Sequence, residues 1–284
     1  MEKGTLYVCG TPIGNMEDIT LRVLRTLKEV DLIAAEDTRQ SVKLLNYYDI
    51  KTPLTSYHEH NKEAKGPKLV EMLKEGKNIA IVTDAGMPGI SDPGEDLVAL
   101  CYDEEVPVTV VPGATAVITA LVLSGLNTRS YVFEGFLPAN KKQRREILDR
   151  LCSETRTAVI YEAPHHLVDT LSQLCECGMA QRSAAAVREL TKKHETVNRG
   201  TLAQLLEYFT VNEPKGEFVL VISGKSRDEV RSEEIADFEQ MSIDEHFQLY
   251  LDKGMDSKAA MKQVAKDRGV GKRDIYKALN IKGD

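Results

Sequence analysis

From Leu6 to about Ser223 the chain repeats one pattern: a short apolar run, a break of glycine, proline or acidic residues, then a stretch with apolar positions every third or fourth residue. Short apolar runs bounded by turn residues read as strands buried on both faces, and the periodic stretches as amphipathic helices. The pattern predicts strands at Leu6–Cys9, Leu32–Ala35, Ile79–Val82, Val108–Val111, Ser130–Gly135, Thr157–Tyr161, Ser183–Arg188 and Phe218–Ser223. Helices separate nearly all of them. Thr20 opens the first, with Leu21, Leu24 and Leu27 on one face. This alternation is that of an α/β fold with largely parallel sheets.

The rhythm pauses near Leu126–Ser130, where a helix ends at Ser124-Gly125 and a new series of strands begins. The expected organisation is an α/β domain over residues 1–127, a second over 128–225, an acidic linker over 226–242 and a small helical module over 243–284. In that module three short helical patterns, with Gly269-Val-Gly271 between the last two, give a helix-turn-helix arrangement.

Three strand-end turns carry the candidate chemistry. The richest follows Ile79–Val82: DAGMPGISDPG holds Asp84, Asp92, three glycines and two prolines. Ligands of parallel sheets bind beyond the carboxyl ends of the strands. A rigid Gly/Pro backbone there approaches a ligand closely, while Asp84 offers an acceptor for a ribose hydroxyl or an ammonium. Gly10-Thr-Pro-Ile-Gly14-Asn15 ends the first strand, but Pro12 and Ile13 break the G-x-G-x-x-G spacing of a pyrophosphate cradle, which disfavours a nicotinamide-dependent oxidoreductase. Pro112-Gly-Ala-Thr-Ala116 leaves open amides at a helix start, suited to a carboxylate or an adenine edge. Together the three turns outline one pocket.

Charge refines the picture. The net charge of -7 argues against wholesale wrapping of nucleic acid, yet residues 253–282 carry nine Lys or Arg against three Asp, a local +6, while residues 1–252 sum to -12. A basic module is attached to an acidic body. The five cysteines show no C-x-x-C spacing, so neither a disulfide framework nor a zinc site is expected, and His58-Glu-His60 lacks a downstream pair that would make it a metal site. With no signal-like or membrane-spanning run, a soluble cytoplasmic protein is expected.

The motifs LYVCGTPIGNMEDITLRVL from Leu6, AAEDTR from Ala34, DAGMPGISDPG, VPGATAVITALVLSG, FEGFLP from Phe133, YEAPHHL from Tyr161, RELTKKHE from Arg188 and KGEFVLVISG from Lys215 occur in this order. In this the chain resembles the tetrapyrrole methylase superfamily, and within it the branch that methylates the cytidine 2'-hydroxyl of 16S rRNA; EDTR and RELTK set it apart from the corrin and diphthamide branches. The resemblance implies two α/β domains of the tetrapyrrole methylase type, a cleft between them that binds S-adenosyl-L-methionine, a homodimer, and 16S rRNA or the small ribosomal subunit as partner. Its cofactor positions map to Pro12, Ile13, Asp84, Ala85, Gly86, Met87, Thr115, Ala116, Tyr161, Glu162, Ala163 and Glu217. His165-His166 departs from the Pro-His-Arg of the family, which leaves a phosphate contact without its Arg, and Lys141–Arg145 is either a phosphate contact or a solvated helix start.

A ribose hydroxyl is a weak nucleophile, and a positioned base helps to remove its proton. Candidates by chemistry are Glu36, Asp37, His58, Glu59, His60, Glu189 and Lys192. Glu36, Asp37 and Arg39, at the functional end of the second strand, together with Glu189, are the expected catalytic set; the competing reading makes Asp37 or Thr38 a helix cap and Arg39 a solvated side chain. The alternatives in function are a tetrapyrrole or diphthamide-precursor methylase of the same fold and a non-catalytic RNA-binding protein.

Overall fold

The computed structural model describes residues 2–280, so Met1 and the last four residues of the expected 243–284 module lie outside it. The chain divides into two compact units, one through Gly224 and one from Lys225.

The first unit holds two five-stranded sheets. Its first half runs β1 (Leu6–Cys9), α1 (Leu21–Glu29), β2 (Leu32–Ala35), α2 (Thr38–Tyr47), β3 (Leu54–Ser56), α3 (Lys62–Lys74), β4 (Ile79–Val82), α4 (Gly94–Asp103), β5 (Val108–Val111) and α5 (Ala116–Ser124). The strands order as β3-β2-β4-β1-β5, all parallel. Apolar residues cover both faces: Leu6, Val8, Ile79 and Ile81 pack with α3 and α4, while Cys9, Ile33, Ala80 and Val82 pack with α1 and α2. Every residue of β4 is buried, as its unbroken apolar run predicts.

The second half runs β6 (Tyr131–Phe136), α6 (Lys141–Ser153), β7 (Thr157–Glu162), α7 (Pro164–Leu174), β8 (Ser183–Arg188), β9 (Thr196–Thr201), α8 (Leu202–Val211) and β10 (Phe218–Ile222). Its order is β6-β7-β10-β8-β9. Only β6 and β7 pair in parallel; β10 is inserted antiparallel between β7 and β8, and β9 folds back antiparallel on β8. The expectation of largely parallel sheets therefore fails here. The physical reason is the connection: β8 and β9 are joined by the short RELTKKHE loop, which lacks the crossover helix that a parallel neighbour needs. One face of this sheet packs on α6, α7 and α8 through Ile160, Leu171, Leu205 and Leu220, and the other on α5 through Val159, Val187 and Val221.

The face of α1 that carries Leu21, Leu24 and Leu27 is buried only in part. Thr20 caps the helix as expected, accepting from Val23 N, but Leu21 is 85% exposed, and the buried face is built from Val23, Thr26 and Leu27.

The second unit holds α9 (Arg227–Gln240), α10 (Ile243–Asp252), α11 (Ser257–Asp267) and α12 (Lys272–Asn280). Ser242 and Glu245 form a capping box at α10, and Asp256 caps α11. Tyr250, Ala260, Val264, Ala265 and Ile275 make its small core, and Tyr250 donates its hydroxyl to Asp267 Oδ2 at 2.6 Å.

Candidate active site

The carboxyl ends of β1, β4 and β5 are held together by backbone contacts that only small residues permit. Thr11 N donates to Gly86 O at 2.8 Å and Gly86 N to Thr11 O at 3.2 Å, while Thr11 Oγ1 donates to Thr83 O. Gly86 sits at φ +88°, a left-handed conformation that favours glycine, close to Ile13 and to Ala114 O. Gly10 and Gly113 face each other with no room for a side chain at either. The three loops read from the sequence thus form one continuous floor.

Above it lies a cavity of about 810 Å³, within the usual range for small-molecule sites, roughly 300–1,000 Å³. Ile13, Asp84, Ala85, Gly86, Met87, Thr115, Ala116, Tyr161, Glu162, Ala163 and Glu217 all line it, as does Glu36. Pro12, Asp37, Arg39 and Glu189 do not. Pro12 is buried next to Ile13, which does line it.

The far wall is aromatic, and periodicity alone hides it. Tyr131, Phe133 and Phe136 all face the cavity, although residues three apart on a regular strand point to opposite faces. The pairing of β6 with β7 slips between Phe133 and Gly135, so one extra residue brings Phe136 back to the face of Phe133; Gly135 takes φ +65° in this bulge. Tyr161 on β7 meets both rings, at 4.9 Å from Phe133 and 5.4 Å from Phe136 between centroids. The signal in the sequence was the glycine inside FEGF.

Opposite stands a group of carboxylates. β2 and β4 are neighbours in register Ala35↔Val82, so the next residues, Glu36 and Thr83, emerge side by side. Thr83 donates its hydroxyl to Glu36 Oε2 at 2.6 Å. Asp84 Oδ1 accepts the Asp37 backbone N–H at 3.1 Å, and its carboxyl is raised above the ordinary range by desolvation, with the charges of Glu36 and Asp37 adding to the effect. Asp92 Oδ1 accepts the N–H groups of Gly89 and Gly94, both at 2.8 Å, and so shapes the loop that leaves β4; burial raises its carboxyl as well.

Asp37 caps α2 by accepting Arg39 N at 2.8 Å and binds the Arg39 guanidinium in a fork. These bonds hold its carboxyl down at about 2. Arg39 is 88% exposed and close enough to Asp84 to feel its charge. At the end of β8, Glu189 accepts Glu217 N at 3.0 Å and Lys192 Nζ at 2.9 Å, and its carboxyl is lowered, first by the backbone bond. Lys192 Nζ also reaches Glu217 Oε2 at 2.9 Å. Glu189 and Thr191 both take positive φ, 52° and 62°, costly for non-glycine residues. The loop is held in this form against the first turn: Thr191 Oγ1 accepts Asn15 N, and Gly14 leaves no space for a Cβ beside Thr191 and Lys192.

Glu162, almost fully buried, accepts from Ala163 N and from the Thr170 hydroxyl, which in turn accepts from Arg144 at 2.6 Å. This chain fixes the start of α7 at the cavity edge. Among the described residues no cluster of His, Cys, Asp or Glu is arranged to hold a metal ion, and no helix is long and apolar enough to cross a membrane.

Residues 5–206 match the tetrapyrrole (corrin/porphyrin) methylases. A protein of Halalkalibacterium halodurans named ribosomal RNA small subunit methyltransferase I is 50% identical over 275 residues, covering 97% of this chain and 94% of that protein. The protein of the same name from Thermotoga maritima is 46% identical over 222 residues, which are 99% of its length but 78% of this chain. Among solved structures, uroporphyrin-III C-methyltransferase from Thermus thermophilus, complexed with S-adenosyl homocysteine, shares the fold at a TM-score of 0.55 and 19% identity, covering 78% of this chain and 97% of that one.

Proposed function

Because the chain belongs to the tetrapyrrole methylase family, we propose that it is an S-adenosyl-L-methionine-dependent methyltransferase of small-subunit ribosomal RNA, acting on the ribose 2'-hydroxyl of a cytidine in the decoding region of 16S rRNA. The observation that carries this reading is the meeting, in one cavity, of the aromatic wall of Phe133, Phe136 and Tyr161 with the Glu36–Thr83 pair and Asp84.

The residues present fit that cofactor. Aromatic rings suit a purine, and Asp84 suits ribose hydroxyls or an ammonium group. Thr115, the N-cap of α5, makes no side-chain cap bond, and Ala116 follows it, so the first amides of the helix are open to a carboxylate. The cofactor has no phosphate, which agrees with a first turn unsuited to holding one. Bound there, it supplies an electrophilic methyl group.

The protein's part is then alignment and proton removal. Glu36 lines the cavity; its Oε2 is engaged by Thr83, while Oε1 has no hydrogen-bond partner among the described residues. Glu36 accepts the proton of the 2'-hydroxyl, a role of the kind that contributes about 10²–10⁴-fold. Asp37 holds the loop that presents Glu36, and exposed Arg39 meets an RNA phosphate near the cavity. Glu189 with Lys192 fixes the opposite lip through Glu217. Exclusion of water by the aromatic wall and in-line placement supply the rest.

The protein acts as a homodimer, through exposed apolar side chains on β5 and α5, Val110 and Val122, and at the start of α1, Leu21. The basic stretch 253–282 adds backbone contacts to structured RNA, which is recognised largely by shape and phosphates. Deleting residues 243–284 weakens RNA binding and spares cofactor binding; full affinity after deletion rules out this role.

The test incubates the protein with labelled cofactor and either naked 16S rRNA or assembled small subunits, then maps the modified nucleotide by its resistance to alkaline cleavage. Incorporation at one cytidine ribose is expected. Failure to label either substrate removes the proposal. Alanine at Glu36 or at Asp37 cuts turnover while leaving calorimetric cofactor affinity intact; unchanged turnover in both ends the case for this pair.

A further inference from the structure

A second cavity, of about 460 Å³, lies in the first unit beside the candidate active site. It opens between the first half of β9, the C-terminal end of α8 and the segment that leads into β10. Arg188, Asn198, Tyr208, Asn212 and Lys215 line it. Nothing in the catalytic scheme uses these side chains together.

The two cavities share Phe218. They are also separated by a single residue: Lys215 lines the second and Glu217 the first, with Gly216 between them at φ +83° against the Glu189 carboxyl. Phe218 packs on the α8 face of the sheet, while Val219, which lines the first cavity, packs on the α5 face, so the cavities meet at the rim formed by Lys215, Gly216 and Glu217, where two residues span at most about 7 Å. A strand that crosses this rim brings the neighbour of its target nucleotide to the second cavity.

The lining suits a nucleotide. Tyr208 is 45% exposed, supported edge-on by Phe209, which packs in turn on Phe218, so its ring is held as a platform. Arg188 Nε donates to Lys215 O, which fixes the guanidinium, while its terminal nitrogens make no hydrogen bond among the described residues. Lys215 pairs only loosely with Glu213, at 3.4 Å with side chains 71% and 80% exposed; such a pair holds the ammonium weakly. Asn198 offers an amide that can both donate and accept, and β9, at the edge of its sheet, has backbone groups without a neighbouring strand. A stacking ring, two cations and amide groups are what single-stranded RNA requires.

We propose that this second cavity holds the nucleotide adjacent to the one methylated, its base on Tyr208 and its phosphate between Arg188 and Lys215. The inference rests on the RNA methyltransferase reading above and adds to it a site that selects the sequence context of the target.

The experiment measures methylation kinetics on the substrate form that the wild type labels, with Tyr208→Ala, Tyr208→Phe, Asn198→Ala and Lys215→Ala. Tyr208→Ala is expected to raise KM for RNA about tenfold, the size of one lost base stack, with kcat and cofactor affinity unchanged; Tyr208→Phe restores the wild-type KM. Asn198→Ala relaxes the preference for the neighbouring base, measured on substrates altered at that position. Lys215→Ala weakens binding evenly across substrates and lowers the salt slope by about one. Unchanged KM in Tyr208→Ala and Lys215→Ala, no rescue by Tyr208→Phe, or a parallel loss of cofactor affinity overturns the site while leaving the methyltransferase reading standing. A wild type that neither binds nor methylates RNA overturns both.

Discussion

Replacing Gly113 by alanine tests whether the floor of the cleft is held by direct backbone contact. A Cβ at Gly113 lies 2.8 Å from Gly10 O, 2.9 Å from Gly10 C and 2.9 Å from Gly10 Cα. The obstacle is backbone, which cannot swing aside as a side-chain tip can. Neither glycine has a positive φ, so the substitution introduces no conformational strain of its own and the effect is purely one of space. The strand ends of β1 and β5 must move apart, at an overpacking cost of about 1–3 kcal/mol. At about 2–4 °C per kcal/mol for a unit of this size, the midpoint of thermal unfolding falls by about 2–12 °C. The same movement shifts Ile13 on one loop and Thr115 and Ala116 on the other, all of which line the cavity. Cofactor affinity therefore drops about tenfold or more, beyond what the loss of stability explains, because the folded fraction at 25 °C stays near unity. Differential scanning calorimetry and cofactor titration on the same preparation provide the two readings. A Gly113→Ala protein with wild-type melting and wild-type affinity refutes the account of a close-packed floor; lower stability with unchanged affinity leaves the floor but separates it from binding.

Asp84→Asn keeps an oxygen for the Asp37 N–H but removes a partly desolvated charge, so stability is maintained or rises while cofactor affinity falls about tenfold, by calorimetry. In the wild type the folded pKa of Asp84 is raised, so its carboxylate is lost as pH drops through that raised value; affinity weakens in that window above 3.8, and the Asn variant lacks the dependence. Burial pushes Cys9 up to about 12 and Cys101 to about 11, so alkylation at pH 8 spares both in the native protein and modifies both after denaturation, which peptide mapping reads. Glu154 is lowered to about 2 by its Arg156 fork, so the stability it adds is present above 4.5 and lost as pH falls from 4.5 toward 2; Glu154→Gln is expected to remove that part of the acid transition, followed by circular dichroism.

The sheets were legible wherever apolar runs were continuous. β1, β2 and β4 occupy the predicted spans because each is buried on both sides and shows it in composition, and β5 does so because its VTVV run is β-branched throughout, although Thr109 and Val110 are exposed. β3 was missed because three half-buried residues carry no period, and β9 because TVNRGT, at a sheet edge, has no apolar run to show. The antiparallel insertion of β10 leaves no trace in local sequence, since pairing direction depends on which strands become neighbours. The same limit hid the Glu36–Thr83 pair: the two lie far apart in the chain, and only the adjacency of β2 and β4 brings them to 2.6 Å. Loop glycines and prolines, by contrast, announced the cavity, because close backbone approach is a demand that residue type alone reveals. The choice between cap and catalyst for Asp37 was not legible; the structure shows it capping α2 and forked to Arg39.

The distribution of charge follows from what the cleft must do. Under the proposed reading a site that takes up a proton beside a sulfonium would gather carboxylates, and Glu36, Asp84, Asp92, Glu162 and Glu217 all line one cavity. Each also repels a polyanion, and residues 1–252 as a whole sum to -12. Under that reading RNA would approach against the field of the groups proposed to act on it. Exposed cations offset this within the chain: Arg39 and Lys215 in the first unit, 88% and 71% exposed, and the +6 of residues 253–282 in the second, where acidic residues of the same unit bring the sum over 225–284 back to -1. Residues 253–282 concentrate nine Lys and Arg against three Asp, so substitutions there change the charge offered to RNA without touching any residue that lines the cavity. In the proposed scheme the charge that attracts RNA and the carboxylates of the cavity are thus carried by different residues.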